Sequence, residues 1–408
     1  MRRTVTAVGV LSCIAVLARA DGGFFPDMAG AVGDAHTTQQ HAVLCFDGST
    51  ETLILRTAYE GDGGRFAWVV PTASLVTRGN AATADPGILD DLDLATAPRQ
   101  WSVWGRGVLG CGGGGAPQQQ VQPQQQSAVA VFDSFAVDDY RITTLGAQES
   151  QALVQWLNAR GYGFDKSAED VLAGYIAQGW FFAAVEVEPS GKHQPTDRND
   201  FGEPLPPGGG QQPTGADAMP LLVLRFAAAR PVYPMRISAV STEGQVEVLL
   251  YVLARHRMAT EAYACEEVAA TPAKRDEVFA DHYAGDFRQH LAALGQPAFL
   301  VEFAGWLPEH LRESLKQAVA LGGGNWFLTR VRGLLGAADM TDDVYFTQAP
   351  ADRAFSVDFD VTVAQSHPGL LSLPLAAAVL TGLRSSGARR RRIRRGLLAA
   401  LLCALLVI

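Results

Sequence analysis

An α+β fold with a mainly antiparallel sheet is predicted, because strand patterns occur in runs and helical patterns are grouped between them. The composition agrees: 48% of the 408 residues are hydrophobic, and 42 glycines with 21 prolines indicate many turns rather than a helical bundle. No repeat of roughly 20 to 50 residues recurs, which argues against a solenoid or propeller. The sequence therefore predicts packed helices on a sheet, joined by long loops.

Three strands open the predicted sheet. His41–Phe46 and Glu51–Tyr59 are apolar and β-branched, and the Asp47-Gly48 turn between them is typical of a hairpin. Phe66–Pro71 follows and ends in a proline that cannot continue a ladder. Consecutive strands of this kind predict a meander.

The later elements alternate between strands, helices and two long loops. Further strands are predicted at Ser127–Phe132, Trp180–Val187, Leu221–Ala227, Met235–Val240, Val246–Leu253 and, on strict alternation, Phe355–Val363. Helices are predicted at Gln148–Arg160, at Ser167–Ala177 and from Pro308 to Gly322. The Gly/Gln-rich Gly107–Ser127 and the Pro/Gly-rich Pro189–Pro213 are predicted loops, and a subdivision of the body near 189–219 stays open.

The N-terminus has the order of a secretory signal peptide. Two arginines precede an apolar run from Val5 to Leu17, and the small residues Ala18 and Ala20 mark a cleavage site after Ala20. The predicted domains are a signal peptide at 1–20, an extracytoplasmic α+β body at 21–365 and a membrane tail at 366–408.

The predicted tail is a helical hairpin in the membrane. The apolar runs Leu370–Leu383 and Gly396–Ile408 are each shorter than the ~20 residues that cross a bilayer alone. Seven arginines between the runs are the predicted topology determinants, retained in the cytoplasm by the positive-inside rule: Arg384, Arg389, Arg390, Arg391, Arg392, Arg394 and Arg395. Membrane lipid is the predicted partner of the tail. The alternative is a basic amphipathic tail that lies on the membrane surface.

Charge and cysteine content restrict the function classes. The formal net charge is −9 although many arginines lie in the tail, so the body is more acidic still and is not expected to bind nucleic acid. Cys45, Cys111 and Cys265 are odd in number, so at most one disulfide forms among them. No metal-ligand spacing is present, and no cofactor is predicted.

No residue set assembles into a catalytic signature. Gly105–Gly110 matches G-x-G-x-x-G by letter only, and Cys111 lies in a glycine-rich stretch with no base beside it. The carboxylate pairs are expected to be solvated in loops: Asp90 with Asp91, Asp138 with Asp139, and Asp342 with Asp343. The histidine pairs His36 with His41 and His282 with His290 are expected to be surface or capping histidines and not metal ligands. Five tryptophans are expected in the core: Trp68, Trp156, Trp180, Trp306 and Trp326.

Several phrases occur here in one order and resemble the bacterial domain-of-unknown-function family 2330. They are Tyr59–Pro71, Trp156–Tyr162, Gln178–Val185, Arg230–Arg236, Trp326–Arg330 and Met340–Asp343. The resemblance implies a secreted or membrane-anchored bacterial protein and supplies no activity, cofactor or catalytic residue. The predicted mature start also resembles the family's opening Gly-Gly-Phe-Phe, but Asp21 and Pro26 stand where cysteines are common. A disulfide or lipidated cysteine at that terminus therefore does not carry over.

The function expected from the sequence is a non-enzymatic binding or structural module of the bacterial envelope, with a protein partner there as one possibility. The alternative is an envelope hydrolase whose site is assembled from distant residues. A serine or cysteine within hydrogen-bonding reach of His256 or His282 would favour that alternative.

The predicted topology can be tested with a reporter. Alkaline phosphatase fused after Gly387, within the arginine cluster, should be inactive in intact cells, because the cluster stays in the cytoplasm. The same reporter fused after Gln365 should be active. Periplasmic activity of the Gly387 fusion would reject the topology.

Overall fold

Two β-sheets face each other across the main hydrophobic core of this computed structural model. It describes residues 19–20, 23–26, 39–58, 66–102, 129–160, 167–187, 220–242, 244–274 and 277–361. The chain divides into two compact units, Met1–Trp101 with Gly107–Phe359 and Ser102–Arg106 with Asp360–Ile408. All five α-helices of the described chain lie in the first unit.

The described strands are β1 (Arg19–Ala20), β2 (Gly23–Pro26), β3 (Gln39–Phe46), β4 (Thr50–Leu55), β5 (Thr57–Ala58), β6 (Phe66–Thr72), β7 (Ala81–Ala84), β8 (Arg99–Ser102), β9 (Val129–Val137), β10 (Tyr140–Ala147), β11 (Phe181–Val187), β12 (Leu221–Ala227), β13 (Val232–Tyr233), β14 (Gln245–Ala254), β15 (Met258–Thr260), β16 (Ala264–Glu267), β17 (Ala298–Trp306), β18 (Phe327–Gly336), β19 (Val344–Gln348), β20 (Phe355–Ser356) and β21 (Asp358–Val361). The α-helices are α1 (Gly87–Thr96), α2 (Ser150–Asn158), α3 (Ser167–Ala177), α4 (Phe279–Leu294) and α5 (Glu309–Leu315). Short 3₁₀ helices lie at Arg78–Asn80, Arg236–Val240 and Ala337–Asp339.

The larger sheet has the order β16-β17-β18-β14-β3-β4-β12-β7, with β20 added beside β17. The second sheet has the order β2-β6-β11-β10-β9, and β13-β19-β15 form a third. β3 pairs in parallel with β14, and β16 with β17, while the other described pairings within these three sheets are antiparallel. The sequence predicts an α+β fold, and the structure confirms a fold of mixed α/β content that is rich in strands.

Helices cover the outer faces of both sheets. α1 and α5 pack on the larger sheet, α2 and α3 pack on the second sheet, and α4 packs on a separate part of the larger sheet near β17. β14 is therefore apolar on both faces over most of its length, as is typical of a strand that is covered twice. A strand of this kind tolerates polar side chains only where partners reach them.

The predicted meander is wrong. β3 and β4 form the expected hairpin, with Val43 opposite Ile54, but β6 pairs with β2 and β11 in the second sheet. β12 occupies the edge of β4 instead. β6 joins the second sheet because its side chains alternate between two cores, with Trp68 facing one and Val69 the other.

The predicted strand at Met235–Val240 is a 3₁₀ helix. The backbone N–H of Arg236 donates to Asp343 Oδ1 at 3.1 Å, and Ser238 N–H donates to Met235 O at 2.9 Å. These local and side-chain partners replace the ladder bonds that a strand needs.

Two other predicted elements are shorter than expected. The helix at Pro308 ends at Leu315, although Leu311 and Leu315 are buried as its pattern indicates. The strand predicted at Phe355–Val363 is divided at Val357, whose carbonyl accepts a hydrogen bond from the backbone of Arg99 at 2.9 Å.

The described residues contain no helix with the length and apolar character to cross a bilayer. The predicted tail 366–408 with its arginine cluster, Ala18 of the cleavage site and the loops Gly107–Ser127 and Pro189–Pro213 lie outside the described residues. Strands that precede residues 189–219 in the sequence and strands that follow them lie together in the larger sheet.

Gly333→Ala in β18 is expected to destabilise the fold. A Cβ there would lie 3.0 Å from Phe299 Cε1 and 3.1 Å from the backbone oxygen of Ala298, and Phe299 is fully buried. Overpacking of this kind costs about 1 to 3 kcal/mol in the free energy of unfolding, measurable by urea denaturation. Gly323→Ala is the control, because a Cβ at Gly323 meets nothing within 4 Å. Equal stability of the two variants would contradict this packing.

Candidate functional site

The two described cysteines are poor nucleophiles. Cys45 on β3 is buried and Cys265 on β16 is half-buried, and both are free thiols. Burial raises the pKa of both, so neither holds the thiolate that attack requires. Cys111 and the Gly105–Gly110 sequence lie outside the described residues.

A fully buried carboxylate on β17 holds two arginines of β18. Glu302 Oε2 accepts a hydrogen bond from Arg330 Nε at 2.7 Å, and Oε1 lies 3.3 Å from Arg332 Nη1. The hydroxyl of Tyr283 on α4 also donates to Oε1, at 2.6 Å. Burial raises the pKa of Tyr283, and the Glu302 carboxylate raises it further. Such a carboxylate is stable in the interior only because several donors replace water.

The same cluster reaches α1 and β14. Arg330 Nη1 lies 2.7 Å from Asp93 Oδ1 and 3.2 Å from Thr96 Oγ1, both on α1. Arg332 pairs with Glu247 on β14. The cluster therefore ties α1 to β18 and α4 to the neighbouring strand β17. The acidic and basic side chains of the cluster pair with one another, which indicates a structural role.

Asp343 is buried, which corrects the expectation of a solvated pair with Asp342. It accepts hydrogen bonds from the hydroxyl of Tyr175 on α3 and from Arg236 Nε, the latter at 3.2 Å. Burial raises the pKa of Asp343, while these two partners lower it. The guanidinium of Arg236 also lies 4.5 Å from the centre of the Tyr175 ring. These three side chains fasten α3 to the 3₁₀ helix at Arg236–Val240.

The other tested expectations for acidic and aromatic residues have mixed outcomes. Asp139 is also buried, whereas Asp90 and Asp91 are exposed on α1 rather than in a loop. Trp68, Trp156, Trp180 and Trp326 are buried as expected. Trp306 is 51% exposed, because it ends β17, and it packs edge-on against Phe327, at 5.0 Å between ring centres.

His282 on α4 lies in an arrangement that resembles a catalytic triad by distance. Its Nε2 lies 2.8 Å from Thr271 Oγ1, and its Nδ1 lies 3.2 Å from Glu277 Oε2. However, Asp286 Oδ2 accepts hydrogen bonds from both Oγ1 and N of Thr271, at 2.8 and 2.7 Å. The Thr271 hydroxyl therefore donates its proton to the Asp286 carboxylate. The backbone N–H of Thr271 is bound to the same carboxylate, so it is not available to stabilise an oxyanion. These contacts fasten the chain at Thr271 to α4.

Two other histidines also make structural contacts. His290 Nδ1 accepts the N–H of Ala269 at 3.0 Å, and His256 Nδ1 lies 2.9 Å from Asp352 Oδ2. Within the described chain, neither His256 nor His282 contacts a serine or cysteine. No group of three acidic, histidine or cysteine side chains in that part could hold a metal ion.

A β-bulge in β9 turns Phe132 out of the regular alternation. Val131 lies opposite Leu145 of β10 and Asp133 lies opposite Thr144, so Phe132 is the extra residue. Its side chain is 49% exposed. Bulges commonly redirect a side chain at a functional site.

Beside this bulge lies a cavity of about 440 Å³. The Phe132 ring lies over Gly146, where a Cβ would come within 2.7 Å of it, and meets the Phe181 ring edge-on at 5.6 Å between centres. The lining residues are Ala130, Phe132, Gly146, Ala147, Gln148, Gly179, Trp180 and Phe181. None of them is charged, and the volume falls within the range of about 300 to 1,000 Å³ for small-molecule sites. The cavity fits an apolar group of aromatic size.

Sequence reasoning did not find this cavity. A strand over Ser127–Phe132 is expected, but β9 continues to Val137, and no sequence pattern marks a bulge within it. Trp180 begins the predicted strand that is observed as β11. The signal that could have found the site is the aromatic Phe132 near Gly146, since a glycine beneath a ring allows close approach.

Comparisons with known proteins identify a family but no activity. Residues 19–201 and 210–347 match the family described as uncharacterised protein conserved in bacteria (DUF2330). No curated protein sequence matches the chain. Two crystal structures of a mutated baculovirus P35 after caspase cleavage, at 2.7 and 3.1 Å resolution, align over 76% and 78% of this chain. These alignments cover 99% and 100% of those chains, at 9% and 8% identity and a TM-score of 0.31 each, which is too low to support an argument about fold or function.

A buried glutamate makes stability depend on pH. Glu51 on β4 is fully buried between Phe46 and Phe226 on the adjacent strands, and among the described residues only the Val232 N–H, at 2.9 Å from Oε2, donates to it. Burial raises its pKa well above the ordinary value of 4.5, although that hydrogen bond lowers it. The folded state therefore keeps a proton that the unfolded state has released.

Glu51→Gln should remove this dependence. The stability that Glu51 contributes is fully present below pH 4.5. It falls by about 1.4 kcal/mol per pH unit as pH rises toward the folded pKa. Urea unfolding between about pH 5 and about pH 7 should therefore show a smaller loss of stability in the variant. Glu309→Gln, at a side chain that is 76% exposed, is the control. Parallel pH profiles for Glu51→Gln and the unmodified protein would contradict the assignment.

Proposed function

The chain belongs to DUF2330, a family of uncharacterised proteins conserved in bacteria, and we propose that it is a membrane-anchored, non-enzymatic binding module of the bacterial envelope. The observation that carries the binding role is the uncharged cavity beside Phe132. Its ligand is an apolar group of aromatic size, held by ring contacts and by the polar edge at Gln148.

Binding is favoured over catalysis by where the charged groups lie. The acidic side chains Glu302 and Asp343 are engaged by arginines and tyrosines. The histidine best placed for base catalysis, His282, contacts a threonine whose hydroxyl is bound to Asp286. The cavity itself is lined by neutral residues, which suit recognition of an apolar group and not proton transfer.

The location is proposed from the two ends of the chain. The signal-like order at 1–20 and the two apolar runs around the arginine cluster at 384–395 support export followed by anchoring. Membrane lipid then contacts the tail, and the acidic body is not a nucleic-acid partner.

The binding role can be tested with 5-fluoroindole as the probe. Full-length protein in nanodiscs should broaden and shift the ¹⁹F NMR signal of 5-fluoroindole, and Phe132→Ala should weaken binding at least about tenfold, because one cavity wall is lost. Leu94→Ala is the matched control, since Leu94 is 69% exposed and lies on α1.

5-Fluoroindole also partitions into the nanodisc lipid, and this contribution to the signal is equal for the two variants when they are compared in the same lipid. Thermal unfolding should show that both variants keep the fold, since the Phe132 and Leu94 side chains are 49% and 69% exposed. Equal probe binding by Phe132→Ala and Leu94→Ala would reject the cavity as a ligand site.

A further inference from the structure

We propose that the cavity beside Phe132 selects ligands in which a neutral carbonyl oxygen is attached to the apolar ring, and that the indole N–H of Trp180 donates to that oxygen. This inference rests on the proposed function and names the chemical class of the ligand. Aryl ketones are the simplest compounds of that class. The burial of Trp180, its place in the cavity wall and the state of its indole nitrogen carry the inference.

Trp180 brings a hydrogen-bond donor without a partner to the cavity wall. It lines the cavity and is only 8% exposed. Within the described chain, Trp326 Nε1 donates to Gly322 O at 3.2 Å, whereas Trp180 Nε1 makes no hydrogen bond. Trp68 Nε1 also lacks a partner, but it is closed off from solvent and Trp180 Nε1 is not. An indole N–H of a cavity residue that solvent still reaches is available to a ligand.

The Trp180 ring is held in place by the end of α3. Gly179 has a φ of 75°, which turns the chain back, and the backbone N–H of Trp180 donates to Tyr175 O at 3.1 Å. The indole ring packs against the Tyr175 ring at 5.2 Å between centres. Because the donor is already oriented, a ligand that accepts from it does not have to order the side chain.

Trp180 discriminates between ligands more strongly than the other polar lining residue, Gln148. The Gln148 side chain is exposed, so water replaces a ligand at its amide with little loss. A ligand without an acceptor would instead cover the Trp180 N–H and leave it without water or a partner. A site of this kind disfavours the analogue that lacks the matching polar group.

The charge around the cavity favours a neutral acceptor. Asp133 directly follows the lining residue Phe132, and Glu149 directly follows Gln148, while the lining itself holds no cation. A carboxylate ligand would lose water there without gaining a positive partner. A carbonyl oxygen accepts the same hydrogen bond without that cost.

The test compares two probes by ¹⁹F NMR titration of the full-length protein in nanodiscs. They are 4′-fluoroacetophenone and 1-fluoro-4-isopropenylbenzene, in which a CH₂ group replaces the carbonyl oxygen. The unmodified protein should bind the ketone at least about tenfold more tightly than the alkene, once the uptake of each probe by empty nanodiscs is subtracted. 4-Fluorobenzoate should bind more weakly than the ketone.

Trp180→Phe should abolish this preference. The variant keeps an aromatic ring and removes the N–H, so the ratio of the two affinities should fall to about one. Trp306→Phe is the matched control, because Trp306 is 51% exposed at the end of β17 and does not line the cavity. It should keep the ratio of the unmodified protein.

The unmodified protein can contradict the inference even where Trp180→Phe does not fold. Equal affinities for the ketone and the alkene would overturn it, and tighter binding of 4-fluorobenzoate would reject the neutral acceptor. A preference that Trp180→Phe keeps and Gln148→Leu loses would assign the donor to Gln148 and reject Trp180.

Phe132→Ala distinguishes the failure of this inference from the failure of the proposed function. It should weaken both probes by the same factor, since the cavity wall is common to them. Equal affinities that both depend on Phe132 would overturn the choice of ligand class and leave the cavity as a ligand site. Binding of both probes that is independent of Phe132 would overturn the proposed function together with this inference.

Discussion

The burial of both faces of the central strands is the constraint on which the rest of the structure depends. β3, β14 and β18 are covered on one side by the second sheet and on the other by helices. Any polar side chain on these strands must find its partners within the protein, because water does not reach it. Glu302 meets that demand with two arginines and a tyrosine, whereas Glu51 has one donor, the Val232 N–H, and burial raises its pKa. The polar interior is thus a consequence of sheet packing.

This constraint also explains where recognition can occur. Asp343, Glu302 and Arg330 hold helices in place, so their charged groups are bound by other side chains of the protein. The edge of the second sheet is under no such demand. There the bulge at Phe132 and the small residue Gly146 leave space that neither core fills.

The fold class and most elements could be predicted because their patterns are local. The β3–β4 hairpin follows from Asp-Gly between apolar runs, and α2 and α3 follow from helical spacing before a stop. The partners of a strand are not local: β6 has the composition of a meander strand, and only tertiary packing assigns it to the second sheet. The same holds for Arg236, whose bond to Asp343 over 107 positions converts an apparent strand into a 3₁₀ helix. The candidate site depends on a bulge register, which no residue spacing encodes.

The parallel pairing of β3 with β14 has a consequence for how the chain reaches its folded state. Gln39 and Glu247 lie opposite each other in that pairing although 208 positions separate them. β3 can therefore pair with β14 only after more than half of the chain has been made. Contacts of such long range carry a large loop-closure entropy and form slowly. The edge of β3 that faces β14 therefore stays without its partner strand until β14 has been made, although the β3–β4 hairpin is local.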